Sequence, residues 1–305
     1  KERKDHMIKI GDICPLFFSP LKNKFQQDID YIQRFHANDN ILVQVFSNDP
    51  SHSVTAYLRN LVSGNQIPVS FSEYQVNDTI KMYYSAITGL HDAVYVLEVA
   101  DASGNFYAVS EPFSICSDSL ILDETCLIRC SHKDNNSPFD NIFWPGEDQL
   151  FFEFRIEGGF KPNGYSAKVE NEQFRNQKQE IIELYSVPYD TFALSCGNSS
   201  GIPYWFIQFI NKVLCLSDFY VNGVAYVRSG NSVPEVTQIS EDSQMFWSSV
   251  LLEKRENDLS GLGGIPGGSS AINLVGFNIN NPKEGEMLQY DSSQLAFVNT
   301  DKIEV

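Results

Sequence analysis

Residues 150–157 read Leu150-Phe151-Phe152-Glu153-Phe154-Arg155-Ile156-Glu157. Leu150, Phe152, Phe154 and Ile156 fall on one side of an extended chain, and Phe151, Glu153, Arg155 and Glu157 on the other. Side chains alternate across a strand, so this period of two predicts a half-buried β-strand and leaves Glu153 and Glu157 to solvent. Similar short runs recur at 41–46, 53–59, 66–72, 78–84, 93–100 and 106–115. Turn-forming stretches part them: Ser47-Asn48-Asp49-Pro50, Ser63-Gly64-Asn65 and Asp101-Ala102-Ser103-Gly104-Asn105. Strands at this spacing predict a β-sandwich over residues 1–117.

A Ser-, Asp- and Asn-rich transition at 117–145 opens a second β-rich domain, 118–256. Its predicted strands are 125–131, 149–157, 179–186, 190–196, 217–222, 224–229 and 244–254. Asn222-Gly223 accepts the positive φ angles of a type I′ turn and predicts a hairpin. One helix interrupts the pattern, over 202–215. Ser199 or Ser200 is the expected cap, Pro203 sits in the first turn, and Ile202, Phe206, Phe209, Ile210 and Val213 share one face. A Gly/Ser linker follows at 257–270, and then a C-terminal segment, 271–305. Within that segment, Met287–Tyr290 and Ala296–Val298 flank a turn and predict a small hairpin. A lone hairpin is marginal in water, so this one is expected to pack on another surface. Its apolar residues Ile272, Leu274, Val275, Phe277, Ile279, Met287, Leu288, Tyr290 and Phe297 are the candidate assembly interface. The expected fold is mainly all-β: two β-sandwich-like domains, the second with one packed α-helix, plus an extended C-terminal β segment.

The chain has 305 residues and a formal net charge of −17. That balance argues against a nucleic-acid backbone or an anionic membrane surface as partner, because both attract clustered Lys and Arg. No apolar run reaches the ~20 residues of a membrane-spanning helix, and no signal peptide is visible. The six cysteines, Cys14, Cys116, Cys126, Cys130, Cys196 and Cys215, are dispersed. They read as buried free thiols of a protein made in the cytoplasm.

Catalytic patterns are lacking at the sequence level. There is no phosphate-binding glycine loop, no His-Glu-x-x-His, no nucleophile elbow and no calcium loop. Cys126, Cys130 and His132 form the densest metal-like cluster, but a second ligand pair is missing and a strand over 125–131 puts both cysteines on one buried face. Glu147, Asp148, Glu153, Glu157, Glu180 and Glu183 are candidates for the paired carboxylates of a polysaccharide-cleaving hydrolase; in a chain this acidic such pairs arise by chance. Tyr31, Phe35, Tyr83, Tyr84, Trp144, Tyr204, Trp205 and Trp247 are candidates for a sugar-stacking platform, although most aromatics of a sandwich belong to its core. No catalytic, cofactor-binding or metal-binding residue is assigned, and the chain is expected not to be an enzyme.

Asn281-Pro282-Lys283-Glu284-Gly285-Glu286-Met287-Leu288-Gln289-Tyr290-Asp291, followed by Phe297-Val298-Asn299, resembles short segments of phage tail-fibre and tail-tip proteins. Those segments read loosely Asn-Pro-x-Asp-Gly-x-x-Leu-x-Tyr-Asp and then an aromatic, Val and Asn. Glu284 stands here for the usual Asp, and Phe297 for the usual Trp. Over 165–256, Gly201-Ile202-Pro203-Tyr204-Trp205, the run Val221 to Ser229 and Phe246-Trp247 resemble proteins encoded in phages and prophages of gut bacteria. The two regions cover less than half of the chain. The resemblance implies a virion structural protein of the tail, of baseplate or tail-fibre-connecting type, made in the bacterial cytoplasm. Its implied partners are copies of itself and other tail proteins, with a host-surface glycan as a further one. It transfers no site residue. A carbohydrate-binding or receptor-binding module is the alternative expectation.

Overall fold

The computed structural model describes residues 8–18, 31–48, 53–101, 107–135, 144–146, 149–198, 200–241, 243–255, 277–278, 287–291 and 296–300. The chain divides into two compact units, Lys1–Arg255 and Glu256–Val305. The first is the body.

The N-terminal part of the body holds β1 (Ile8–Ile10), β2 (Gln33–His36), β3 (Ile41–Ser47), β4 (Val54–Asn60), β5 (Gln66–Val69), β6 (Ser72–Gln75), β7 (Lys81–Ile87), β8 (Ala93–Asp101), β9 (Tyr107–Val109) and β10 (Phe113–Cys116). They form one sheet in the order β1-β3-β7-β6 and another in the order β2-β10-β8-β4-β5, with β9 also on β8. Alternation explains β4, where Val54, Ala56 and Leu58 are buried while Thr55 and Tyr57 are exposed. β3 is buried almost throughout, which suits its unbroken run Ile41-Leu42-Val43. The apolar residues of both sheets share one core.

The C-terminal part of the body holds α1 (Leu120–Glu124), β11 (Thr125–Ser131), β12 (Phe152–Arg175), β13 (Ile181–Cys196), β14 (Ile202–Pro203), α2 (Tyr204–Val213), β15 (Asp218–Val221), β16 (Val224–Arg228), β17 (Glu235–Gln238) and β18 (Met245–Lys254). Here the antiparallel pairings run full circle, β13–β12–β11–β15–β16–β18 and back to β13. Such closure leaves no open edge inside the ring. Asn222 (φ 49°) and Gly223 (φ 83°) make the tight turn between β15 and β16. The Asn222 side chain also accepts from the Leu127 N–H at 2.8 Å, tying the turn to β11.

α2 is shorter than the 202–215 predicted. Ile202 and Pro203 pair with Phe246 and Met245 of β18, which keeps the chain extended up to Pro203. Pro203 is therefore the N-cap, with no side-chain hydrogen bond, and neither Ser199 nor Ser200 is the cap. The predicted apolar face is observed: Phe206, Phe209, Ile210 and Val213 are buried. Phe206 and Phe209 meet Phe154 of β12 at ring-centroid distances of 6.0 and 5.0 Å, and Phe17 of the N-terminal part at 5.0 and 5.1 Å. One core thus runs through the whole body, across residue 117.

The fold is all-β and sandwich-like, as the alternation predicted. The polar face of residues 151–157 is covered and its charges are paired. Solvent was its expected neighbour, but Arg155 is buried and makes a two-pronged ion pair with buried Asp39, Nε to Oδ2 at 2.6 Å and Nη2 to Oδ1 at 2.8 Å. Asp39 Oδ2 also accepts from the His36 N–H at 2.7 Å, and Arg155 Nη1 donates to Thr125 Oγ1 at 3.3 Å. Beside them, Glu153 accepts from the Asn40 N–H at 3.1 Å, and Glu157 lies 3.7 Å from Arg34. The N-terminal part covers this face, so its charges are paired instead of solvated.

In the second unit, β20 (Met287–Asp291) and β21 (Ala296–Thr300) form the antiparallel hairpin expected over 287–300, and β19 (Phe277–Asn278) adds a parallel strand to β21. The proposed linker, 257–270, lies outside the described residues.

Removing one partner of a buried bidentate pair strands the other charge, at a cost of about 3–5 kcal/mol. Asp39→Ala is therefore expected to lower the urea unfolding free energy by about that much, and Asp39→Ala with Arg155→Met to recover most of it. A double variant no more stable than Asp39→Ala would show that the pair itself carries the stability.

Candidate functional site

β12 begins inside the body and ends far outside its ladder with β11. Residues 152–157 pair with β11, burying Phe152, Phe154 and Ile156. From Gly158 onward β12 pairs with β13 on one side only, down to Arg175 opposite Ile181. β13 in turn pairs with β18 only over Thr191–Cys196. Beyond these contacts the two strands form a ribbon in which residues 165–188 are exposed on both faces, save half-buried Asn176.

Local sequence accounts for its departure and its end. Gly158 (φ +133°) and Gly159 (φ +150°) adopt angles that disfavour any side chain, and a Cβ on Gly158 would run into the Ser195 carbonyl. The register shifts between Phe160 and Tyr165, a bulge of the kind that bends a strand out of its sheet. Phe160, Phe192 and Tyr226 pack at the root, with centroids 5.0–5.9 Å apart, and Tyr165 sits 5.2 Å from Phe192. At the far end Asn176 organises the turn. Its Oδ1 accepts from the N–H groups of Lys178 and Glu180 at 2.9 and 3.0 Å, and Gln179 takes the left-handed conformation at φ 65°.

The ribbon carries much of the exposed apolar surface of the body: Tyr165, Val169, Phe174, Ile181, Ile182, Leu184, Tyr185 and Val187 are each 42–59 % exposed. A two-stranded ribbon is marginal in water by itself, and grouped exposed apolar residues mark contact surfaces. Among the described residues no strand pairs with the outer edge of β12 past Glu157, or with that of β13 before Thr191. These edges offer unpaired backbone groups for strand addition.

A second feature is a polar cleft of about 470 Å³, lined among others by Asn40, Ser72, Tyr84, Arg129, Phe151 and Glu153. The Asn40 Oδ1 in its wall is buried and has no hydrogen-bond partner among the described residues. Arg129 lies over the Phe151 ring at 4.0 Å and 3.6 Å from Glu153.

Of the interface residues inferred from sequence, Phe277 lies on β19, Met287, Leu288 and Tyr290 on β20, and Phe297 on β21. Phe277 and Tyr290 both register with Phe297, so three aromatic positions line up across that sheet. Ile272, Leu274, Val275 and Ile279 lie outside the described residues. Tyr31, Phe35 and Tyr83 are buried core residues, whereas Tyr204 is exposed. Trp205 packs on Phe17 at 4.1 Å, and Trp247 lies under Lys161 at 4.3 Å. Cys126 and Cys130 are buried on β11, and the His132 ring lies 3.0 Å from Ser217 Oγ. Burial pushes the Cys14 and Cys196 thiols up to about 12. Two cysteines depart from the buried-thiol expectation: Cys116 is half-buried and Cys215 is exposed. Of the carboxylates, Glu153 and Glu157 sit beside arginines at the covered face of β12, Glu180 and Glu183 lie at the exposed end of the ribbon, and Glu147 and Asp148 fall outside the described residues.

The strands expected at 179–186 and 190–196 match β13, whereas β12 beyond Glu157 and the pairing of the two strands into a projecting ribbon have no counterpart in the sequence expectations. The alternation of 150–157 stops at Gly158, and a ribbon wet on both faces has no burial pattern to write into its sequence. The available signals were Gly158-Gly159 at a strand end and the β-branched and aromatic content of 181–192.

The chain matches no protein-family model and no curated protein. Among solved structures it is similar to the crystal structure of Dpr2 Ig1-Ig2 in complex with DIP-Theta Ig1-Ig3, at 8 % identity over 77 % of this chain and 90 % of that one, with a TM-score of 0.16. A likeness of that size carries no argument for fold or function.

Glu157 lies where β12 leaves the body. Burial raises its carboxyl above the ordinary range, with Arg34 opposing the shift. A carboxylate raised in the folded state favours folding below its unfolded pKa, and that contribution is lost as pH rises through the folded value. Glu157→Gln should therefore flatten the decline of stability just above the ordinary glutamate range, and its urea midpoint should gain on wild type between pH 4 and pH 7. An unchanged difference between the two proteins over that window would refute the assignment.

Proposed function

We propose that this chain is a non-enzymatic structural protein of a phage or prophage tail, a baseplate or tail-fibre-connecting component that assembles through its β-rich body and its C-terminal arm. The observation that carries the reading is the ribbon of residues 165–188, exposed on both faces and rich in apolar side chains. Such a surface is stable in water when covered, and covering it by other protein is assembly. The resemblance of 281–299 to tail-fibre segments supports the tail context, and the aligned positions Phe277, Tyr290 and Phe297 suit a small sheet that docks elsewhere. A weak contact held by an anchored body gains effective concentration, so two modest surfaces can act together.

The test is mass in solution combined with labelling of particles. The full chain is expected to sediment as an oligomer, and the chain ending at Glu256 as a folded body that no longer completes the assembly. Ile182→Ser/Tyr185→Ser/Val187→Ser is expected to weaken assembly without lowering the unfolding midpoint, because all three residues are exposed. Antibodies to the body should decorate tails of particles induced from the bacterium carrying the gene. Normal assembly of the shortened chain would remove the C-terminal arm from the proposal, and label absent from tails would remove the virion role.

The polar cleft, with the buried Asn40 Oδ1 in its wall, favours a second reading in which the body binds a host-surface glycan. A glycan array probed with the body should then give hits that Arg129→Ala abolishes. An array without hits would set this reading aside.

A further inference from the structure

The ribbon has two outer edges, and they differ. On β13, residues Ile181–Asp190 carry Glu183 and Asp190 with no basic residue. That edge also holds Pro188, which has no N–H to donate, and a register irregularity around Leu184. Acidic charge, proline and a bulge are the devices by which natural sheets keep an edge unpaired. On β12, residues Tyr165–Arg175 carry Lys168, Glu170, Glu172 and Arg175, two charges of each sign. Lys168 alone would also guard an edge, but it stands two residues from Glu170 on the same face, with Val169 between them.

That spacing reads the same from either direction in charge-complementary form. If a second β12 lies antiparallel beside the first with Val169 opposite Val169, Lys168 faces the second copy's Glu170 and Glu170 faces the second copy's Lys168. In the same register Ser166 meets Glu172, Ala167 meets Asn171 and Tyr165 meets Gln173, so no like charges oppose one another. A twofold interface requires this reciprocity, in which one residue contacts a second and the second contacts the first. Lys168, Val169 and Glu170 are all exposed.

Resting on the reading of the ribbon as an assembly surface, we infer that its partner is a second copy of this chain, added antiparallel along the outer edge of β12 about a twofold axis at Val169. Two marginal two-stranded ribbons become one four-stranded sheet, in the order β13-β12-β12-β13. The two guarded β13 edges face outward. This stops the addition at two copies and prevents open-ended growth along the ribbon.

Sign exchange provides the test. Sedimentation equilibrium of the full chain should show self-association weakened about tenfold or more by Lys168→Glu or by Glu170→Lys, since each places two like-charged pairs across the interface. Lys168→Glu/Glu170→Lys should restore it to near the wild-type Kd, because both pairs re-form with signs exchanged. A partner of another kind would not follow the exchange. Val169→Cys in a Cys215→Ser background should give a covalent dimer on mild oxidation, whereas Gln177→Cys at the ribbon tip should not. If the chain associates but the double variant is no better than the singles, or Val169→Cys forms no dimer, the β12 edge is wrong while an assembly role stands. If the chain stays monomeric across the micromolar range, self-association through either surface is overturned.

Discussion

Pairing of Arg155 with Asp39 is the contact that registers the two parts of the body on each other. It lies at the covered face of β12, where the strand is roofed by the N-terminal sheets, and both side chains are more than nine-tenths buried. Charges taken out of water need partners with full hydrogen bonding. Here the guanidinium meets both carboxylate oxygens, and the His36 N–H and Thr125 hydroxyl supply further contacts. The geometry fixes the 36–40 turn against β12, and with it the angle at which one sandwich-like part sits on the other. Phe154 on the opposite face reaches Phe206 and Phe209 of α2, which in turn meet Phe17 of the N-terminal part. Polar and apolar faces of a single strand thus hold the two parts from both sides.

The same strand then leaves the body. Its first six residues pair with β11 and bury Phe152, Phe154 and Ile156, and those from Tyr165 to Arg175 are exposed on both faces and paired only with β13. Gly158 and Gly159 mark the change, because only glycine readily takes the backbone angles required where the chain turns out beside Ser195. The aromatic cluster of Phe160, Phe192 and Tyr226 packs the root of the ribbon against β16 of the body. A ribbon with exposed apolar residues and open edges is suited to pairing with protein. This is why the proposed role is assembly.

Local periodicity matches the observed elements best where burial is one-sided. β11 spans 125–131 as predicted, and β4, β8, β16 and β18 lie within a residue or so of their predicted limits. α2 was recognised from its apolar face, but its start was misplaced because pairing of Ile202 with Phe246 is a long-range event that overrides local capping preference. β1 and β17 are short edge elements without a clear pattern. For the site, the C-terminal hairpin is legible from alternation and its turn, and the β13 side of the ribbon from its strand-forming composition, whereas the β12 side past Glu157 is not, since alternation records burial and the ribbon has none.

The all-β class, the hairpin at Asn222-Gly223, the apolar stripe of α2 and the hairpin of 287–300 are all written in local sequence. Each follows from local periodicity or local backbone chemistry within a few residues. The remaining features arise from tertiary structure. It paired Arg155 with Asp39, residues 116 apart in the chain, turning a face that read as solvated into a buried one. It closed the second set of strands into a ring and left residues 165–188 as a projecting ribbon. A polar residue carries no mark of whether water or an opposite charge will meet it, and a strand edge carries no mark of what will pair with it. Those facts arise when distant segments are brought together.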